Sequence, residues 1–136
     1  MSASKEVETG SKFMPKFDAN GLITAIAQDA ETGQVLMVAY MNDQALAETV
    51  STGRAVYFSR SRKKLWRKGE ESGHTQKVKE ILVDCDQDCL VLKVQVDAGQ
   101  CHVGYQSCFY RRVKPGSGSE LEPIAKPVYN PDDVYK

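Results

Sequence analysis

No apolar run in these 136 residues approaches the ~20 that a membrane span needs, and Met1 to Lys12 lacks the apolar core of a signal peptide. The expectation is a soluble, cytoplasmic protein with no membrane partner. Neither charge is in excess, since 18 Lys+Arg stand against 18 Asp+Glu, so net charge names no partner. There is no internal repeat and no sign of a second domain. At this length the chain is one domain, large enough for a core and small enough to gain from oligomerisation. Histidine is scarce at two residues, tryptophan is single, and the four cysteines all lie between positions 85 and 108. In a reducing compartment such a cluster points to metal ligation or catalysis more than to disulfides.

What is present is unevenly placed. Residues 1–14 read as a flexible N-terminal leader, 15–113 as the domain, and 114–136, opening on Lys114-Pro115-Gly116-Ser117-Gly118-Ser119, as a C-terminal tail or arm. Leu22–Gln28 and Val35–Met41 are β-prone runs around the turn-rich Asp29–Gln34, which predicts a hairpin. Asn42 offers an N-cap to a short helix with Ala45, Leu46 and Val50 as its buried stripe and Gly53 as its stop. Ala55–Ser59 reads as a strand and residues 60–76 as a long loop of the kind usually tied to function or disorder. Val78–Cys85 and Cys89–Val96 predict a second hairpin turning at Asp86-Gln87-Asp88, and Phe109–Val113 closes the domain. The fold class is therefore α+β and mostly β, with antiparallel hairpins and one or two short helices.

Hard and soft donors interleave in Asp84-Cys85-Asp86-Gln87-Asp88-Cys89 and Cys101-His102-Val103-Gly104-Tyr105-Gln106-Ser107-Cys108. Carboxylates suit magnesium or calcium, whereas thiolates select zinc, so two different metals are expected. Asp84, Asp86 and Asp88 match the first three ligands of an EF-hand. Cys89 stands where that loop requires Gly and Gln95 where it requires Glu, which excludes it. Aspartates can also cap a turn, yet three converging carboxylates repel one another unless a cation neutralises them. The cysteines are spaced Cys-x3-Cys-x11-Cys-x6-Cys, without the paired knuckles of a zinc ribbon. A closed four-thiolate site is one reading. The other uses three thiolates and leaves a position for water, as hydrolytic catalysis requires. Cys89, opening an apolar strand, fits the part of an inert buried thiol. His102 adjoins a thiolate and is suited to proton exchange, with His74 second.

Seven of the eighteen basic residues fall between Arg54 and Lys68. Arg60, Arg62 and Lys68, with the amides of glycines such as Gly73, suit phosphate oxygens, and the Trp66 indole suits a base. A nucleic-acid patch would use the same cations. A phosphorylated nucleotide would in addition use Glu70, Ser72 and His74.

Taken together, Ser59-Arg60-Ser61-Arg62, Leu65-Trp66, Lys68-Gly69-Glu70, Ser72-Gly73-His74, Asp84-Cys85-Asp86-x-Asp88, Cys101-His102 and Ser107-Cys108-Phe109 resemble the phosphoribosyl-AMP cyclohydrolases of histidine biosynthesis over roughly residues 15–113. The resemblance implies hydrolytic opening of the adenine ring between N1 and C6 by an intertwined, mostly β homodimer. It implies zinc held by Cys101 and Cys108 of one subunit with Cys85 of the other, and magnesium at Asp84, Asp86 and Asp88. The expected partners are a second copy and a phosphorylated nucleotide, with no nucleic acid. No room is expected for the pyrophosphohydrolase domain fused to some relatives. The competing readings are a non-enzymatic four-cysteine zinc module that binds RNA and a zinc-dependent nucleobase deaminase. The second lacks its His-x-Glu and Pro-Cys-x-x-Cys signature.

Overall fold

A computed structural model of the chain describes residues 4–70 and 72–133. It is a small, mostly β domain with few short helices, built on a four-stranded sheet. The strands of that sheet are β1 (Ile23–Asp29), β2 (Val35–Met41), β5 (Lys77–Val83) and β6 (Cys89–Gln95), in the order β2-β1-β6-β5. Both expected hairpins form, β1 with β2 and β5 with β6, each antiparallel. Sequence periodicity did not foresee the contact that joins them, a parallel pairing of β1 with β6. Ile23, Ala25 and Ala27 of β1 and Leu90, Leu92 and Val94 of β6 are buried at alternate positions, so one face of the central strands makes the core.

Helix α2 (Asp43–Thr52) lies against β2 and β3 (Val56–Ser59). Its ends are those expected. The Asn42 side chain accepts from the Ala45 amide at 2.8 Å, and Gly53, at φ 74°, donates its amide to the Thr49 carbonyl. Its stripe is not. Val50 is exposed, and Thr49 takes the buried place because its hydroxyl finds partners there. It donates to the Ala45 and Val56 carbonyls and accepts from the Val56 amide.

The stretch 60–76 is also not all loop. β4 (Lys64–Arg67) turns back on β3, pairing Tyr57 with Trp66 and Phe58 with Leu65. With Leu65 and Trp66 set among cations, β4 carries too short an apolar signal to read as a strand without its partner. Arg111–Val113 (β7) closes onto Leu121–Pro123 (β8) inside the segment read as a tail, not onto the main sheet. Within the segment read as a leader, Ser4–Thr9 forms α1, and a 3-10 turn spans Pro131–Asp133. No helix among the described residues is long and apolar enough to cross a membrane.

Candidate active site

Two loops meet beyond the C-terminal end of β6. The first runs from β4 to β5. It starts and finishes beside Ala55, whose carbonyl accepts from the Lys68 amide and whose amide donates to the Gln76 carbonyl. The second, residues 99–108, follows β6. A buried polar chain clasps them together. The Tyr57 hydroxyl donates to Gln76 Oε1 at 2.5 Å, and Gln76 Nε2 donates to Gln100 Oε1 at 2.9 Å. Each of these polar groups would be costly to bury unpaired, so the clasp forms as a unit.

The cysteine loop is fixed to the sheet at a β-bulge. Between Ala27–Met37 and Gln28–Val35 the register slips, so Leu36 is an extra residue. The Val35 carbonyl accepts from Ser107 Oγ at 2.6 Å and the Leu36 carbonyl from the Cys108 amide at 2.7 Å. A tight turn, with the Gly104 amide on the Cys101 carbonyl at 3.0 Å, sets the other end. The Cys101 and Cys108 thiols thereby come near enough for each to bear on the other's ionisation. Cys108 is exposed as a residue, yet the protein packed around its sulfur desolvates the thiol, and this, followed by the neighbouring Cys101, pushes it up to about 12.

Lys68, which the sequence assigns to the substrate, is buried close to both sulfurs. Burial lowers its pKa and the two thiols act in the opposite sense. It forms no ion pair with a carboxylate among the described residues. His74 Nδ1 is buried with no hydrogen-bond partner among the described residues, while its amide donates to Ser72 Oγ. His102 lies exposed on the turn next to Cys101.

The remaining loop residues face outward. Arg60, Arg62, Glu70 and Gly73 are exposed and Ser72 is half-buried. The Arg60 guanidinium stacks on Tyr40, 4.1 Å from the ring centroid. Trp66 leans on Tyr57 at 5.6 Å and keeps about two-fifths of its surface open (39%).

The carboxylates occupy a separate place, the turn between β5 and β6. Ligand atoms of Asp84, Asp86 and Asp88 lie within 4.8 Å of one another, the one such group of three among the described residues. Asp84 also serves the turn itself, accepting from the amides of Asp88 and Cys89. A hydrogen bond with Asp84, some burial, and the charges of Asp84 and Asp86 all hold the Asp88 carboxyl above its ordinary pKa. Crowded anions of this kind fit a hard cation. Gln87, at φ 58° in mid-turn, is buried because its side chain bonds the N-terminal segment. It accepts from the Met14 amide and donates to the Val7 and Lys12 carbonyls.

Cys85 is exposed on this turn, and Cys89 starts β6, its thiol pKa raised chiefly by burial. The seven residues of β6, at roughly 3.3 Å each, hold the turn about 20 Å from the strand end where the cysteine loop begins. Within one chain Cys85 does not join Cys101 and Cys108. Tyr57, Gln76, Gln87 and Gln100 escape sequence reasoning, because amides and hydroxyls that meet across many residues follow no period.

A family profile described as phosphoribosyl-AMP cyclohydrolase matches residues 37–110, more than half the chain. Proteins bearing that name include one from Rhodopseudomonas palustris, 54% identical over 98% of this chain and 91% of its own length. One from Bradyrhizobium diazoefficiens is 53% identical over 100% and 99%, and one from Bordetella parapertussis is 62% identical over 88% and 91%.

Proposed function

The chain belongs to the phosphoribosyl-AMP cyclohydrolase family, and from that premise we propose how its two loops open the adenine ring. Its activity is that of the family, a hydrolysis in histidine biosynthesis. Water adds to C6 of 1-(5-phosphoribosyl)-AMP, the N1–C6 bond breaks, and N1 leaves as part of a formimino group. C6 keeps its amino group and becomes a carboxamide, so no ammonia is released. The substituent on N1 makes the ring cationic and C6 electrophilic.

The donor chemistry fits zinc at Cys101 and Cys108, two adjoining thiols that resist joint ionisation until a cation is close. Cys85 of the partner subunit supplies the third thiolate. When bound, zinc supplies the Lewis acidity that makes water a nucleophile near neutral pH. Magnesium fits the oxygen donors of Asp84, Asp86 and Asp88.

This chain's residues do the rest. Lys68 sets a buried positive charge beside the thiolates. His102, open to solvent next to Cys101, takes the proton of the attacking water. His74 is the second choice, since its Nδ1, without a hydrogen-bond partner among the described residues, is available to a reacting group. Arg60, Arg62 and the backbone at Gly73 hold phosphate oxygens, Trp66 stacks on the purine, and Glu70 and Ser72 bind hydroxyls. We read the assembly as a cytoplasmic, intertwined homodimer. Val35 and Val38 of β2 and Leu82 and Val83 of β5 leave apolar side chains exposed on both edge strands, where a second copy would cover them.

The convergence of Cys101, Cys108 and Lys68 at the mouth of two clasped loops carries this reading. Protein supplied with phosphoribosyl-AMP is expected to turn over without ammonia, to stop on chelation and to recover with zinc. Stoichiometric ammonia, or full activity in zinc-free protein, would sink it.

A further inference from the structure

We propose that Tyr129 is a positioning residue for the ring-opening site, and that Val128–Tyr129 is a strap holding the Cys101–Cys108 loop and the His74 ring in one arrangement. The strap lies outside the matched residues 37–110. It rests on the reading above, that Cys101 and Cys108 hold a metal.

Four contacts converge on it. The amides of Val128 and Tyr129 both donate to the Gly104 carbonyl, at 2.7 and 3.2 Å. The Tyr129 hydroxyl donates to the Cys101 carbonyl at 2.5 Å. Its ring meets His74 edge-on, with centroids 4.8 Å apart and planes at 88°.

The cysteine loop is shaped to receive it. A Cβ on Gly99 would stand 2.7 Å from Val128 Cγ2 and 2.9 Å from the Tyr129 ring, and one on Gly104 would stand 2.6 Å from the Tyr129 carbonyl oxygen. Both glycines turn their bare side to the strap, and Gly104 at φ 102° has a backbone that other residues rarely adopt. A hydrogen bond to the main chain of a ligand fixes that ligand's direction, as outer-shell partners do in metal sites. The same ring orients His74 by an aromatic contact and leaves its Nδ1 without a hydrogen-bond partner among the described residues. One tyrosine thus ties the first thiolate to a proton-carrying group.

Two variants of the full chain test this. Tyr129→Phe removes the hydroxyl and keeps the ring. Gly99→Ala presses a methyl into the strap's seat and removes no polar group. Tyr129→Phe is expected to lose cobalt(II) to a chelator roughly tenfold more readily than wild type, the lower end of outer-shell effects. The thiolate-to-cobalt absorption should shift, and kcat should fall with KM unchanged. Gly99→Ala should move the same readouts in the same direction. Wild-type values for both variants in absorption, chelator competition and kcat would overturn the proposal. Wild-type protein that takes up no cobalt would instead remove the metal reading. Amide exchange of residues 99–106 in metal-free protein then decides for the strap if it is faster in Tyr129→Phe, and against it if unchanged.

Discussion

Cys108 and Cys89 show how far a residue's role follows from its type. Both are thiols with raised pKa, and burial is the first cause in each. They differ in company. Cys108 faces a second thiol and a buried lysine, whereas Cys89 pairs with Thr24 in the sheet and feels the charges of Asp84 and Asp88. Cys89→Ala is therefore expected to keep zinc and most activity, while Cys85→Ala, Cys101→Ala and Cys108→Ala each lose zinc or hold it weakly, as measured by metal content after gel filtration. Loss of metal from Cys89→Ala would favour the closed four-thiolate site. The sequence made the choice of soft and hard donors legible, because ligand preference belongs to the side chain. Lys68 was legible only as a cation. Its place beside the thiols depends on the Ala55 carbonyl that holds its amide, and no local pattern encodes that bond.

At the scale of elements, the ends of α2 were readable and its face was not. Asn42 and Gly53 act through their own short-range geometry, which survives in any context. Burial of the stripe is decided by what lies opposite. Hydrophobicity favours Val50, yet the Thr49 hydroxyl satisfies the first amide of β3 and so belongs inside. Thr49→Val keeps the shape and leaves that amide and two carbonyls without this partner. It is expected to lower stability in urea unfolding by about 1–3 kcal/mol. Val50→Ser should stay within about 0.5 kcal/mol. Equal stability of Thr49→Val and wild type would reduce the hydroxyl to a passenger. The same distinction explains β4 and the β1–β6 pair. Hairpins announce themselves through adjacent strands and turn residues, whereas β6 reaches β1 only after β2, α2 and three further strands, β3, β4 and β5, have intervened.

At the scale of the molecule, β6 sets the problem that a dimer would solve. It carries the carboxylate turn and Cys85 at one end and delivers the cysteine loop at the other, with about 20 Å of extended chain between them. The bulge at Leu36 and the Gln76–Gln100 clasp anchor the loop at its own end, so neither thiol group can travel to the other. A second copy running the opposite way along the sheet would bring its turn to this loop and offer its loop to this turn, giving two equivalent sites. Subunit mixing tests that arrangement. Cys85→Ala and Cys101→Ala are each expected to be inactive alone. In a mixed dimer one site gathers both defects, while the other keeps the Cys101–Cys108 pair of one subunit and Cys85 of the partner subunit. With random exchange about half the dimers are mixed and one of their two sites is whole, so activity should return to roughly a quarter of wild type. A mixture that exchanges subunits, stays soluble and recovers nothing would place the third zinc ligand elsewhere in the same chain.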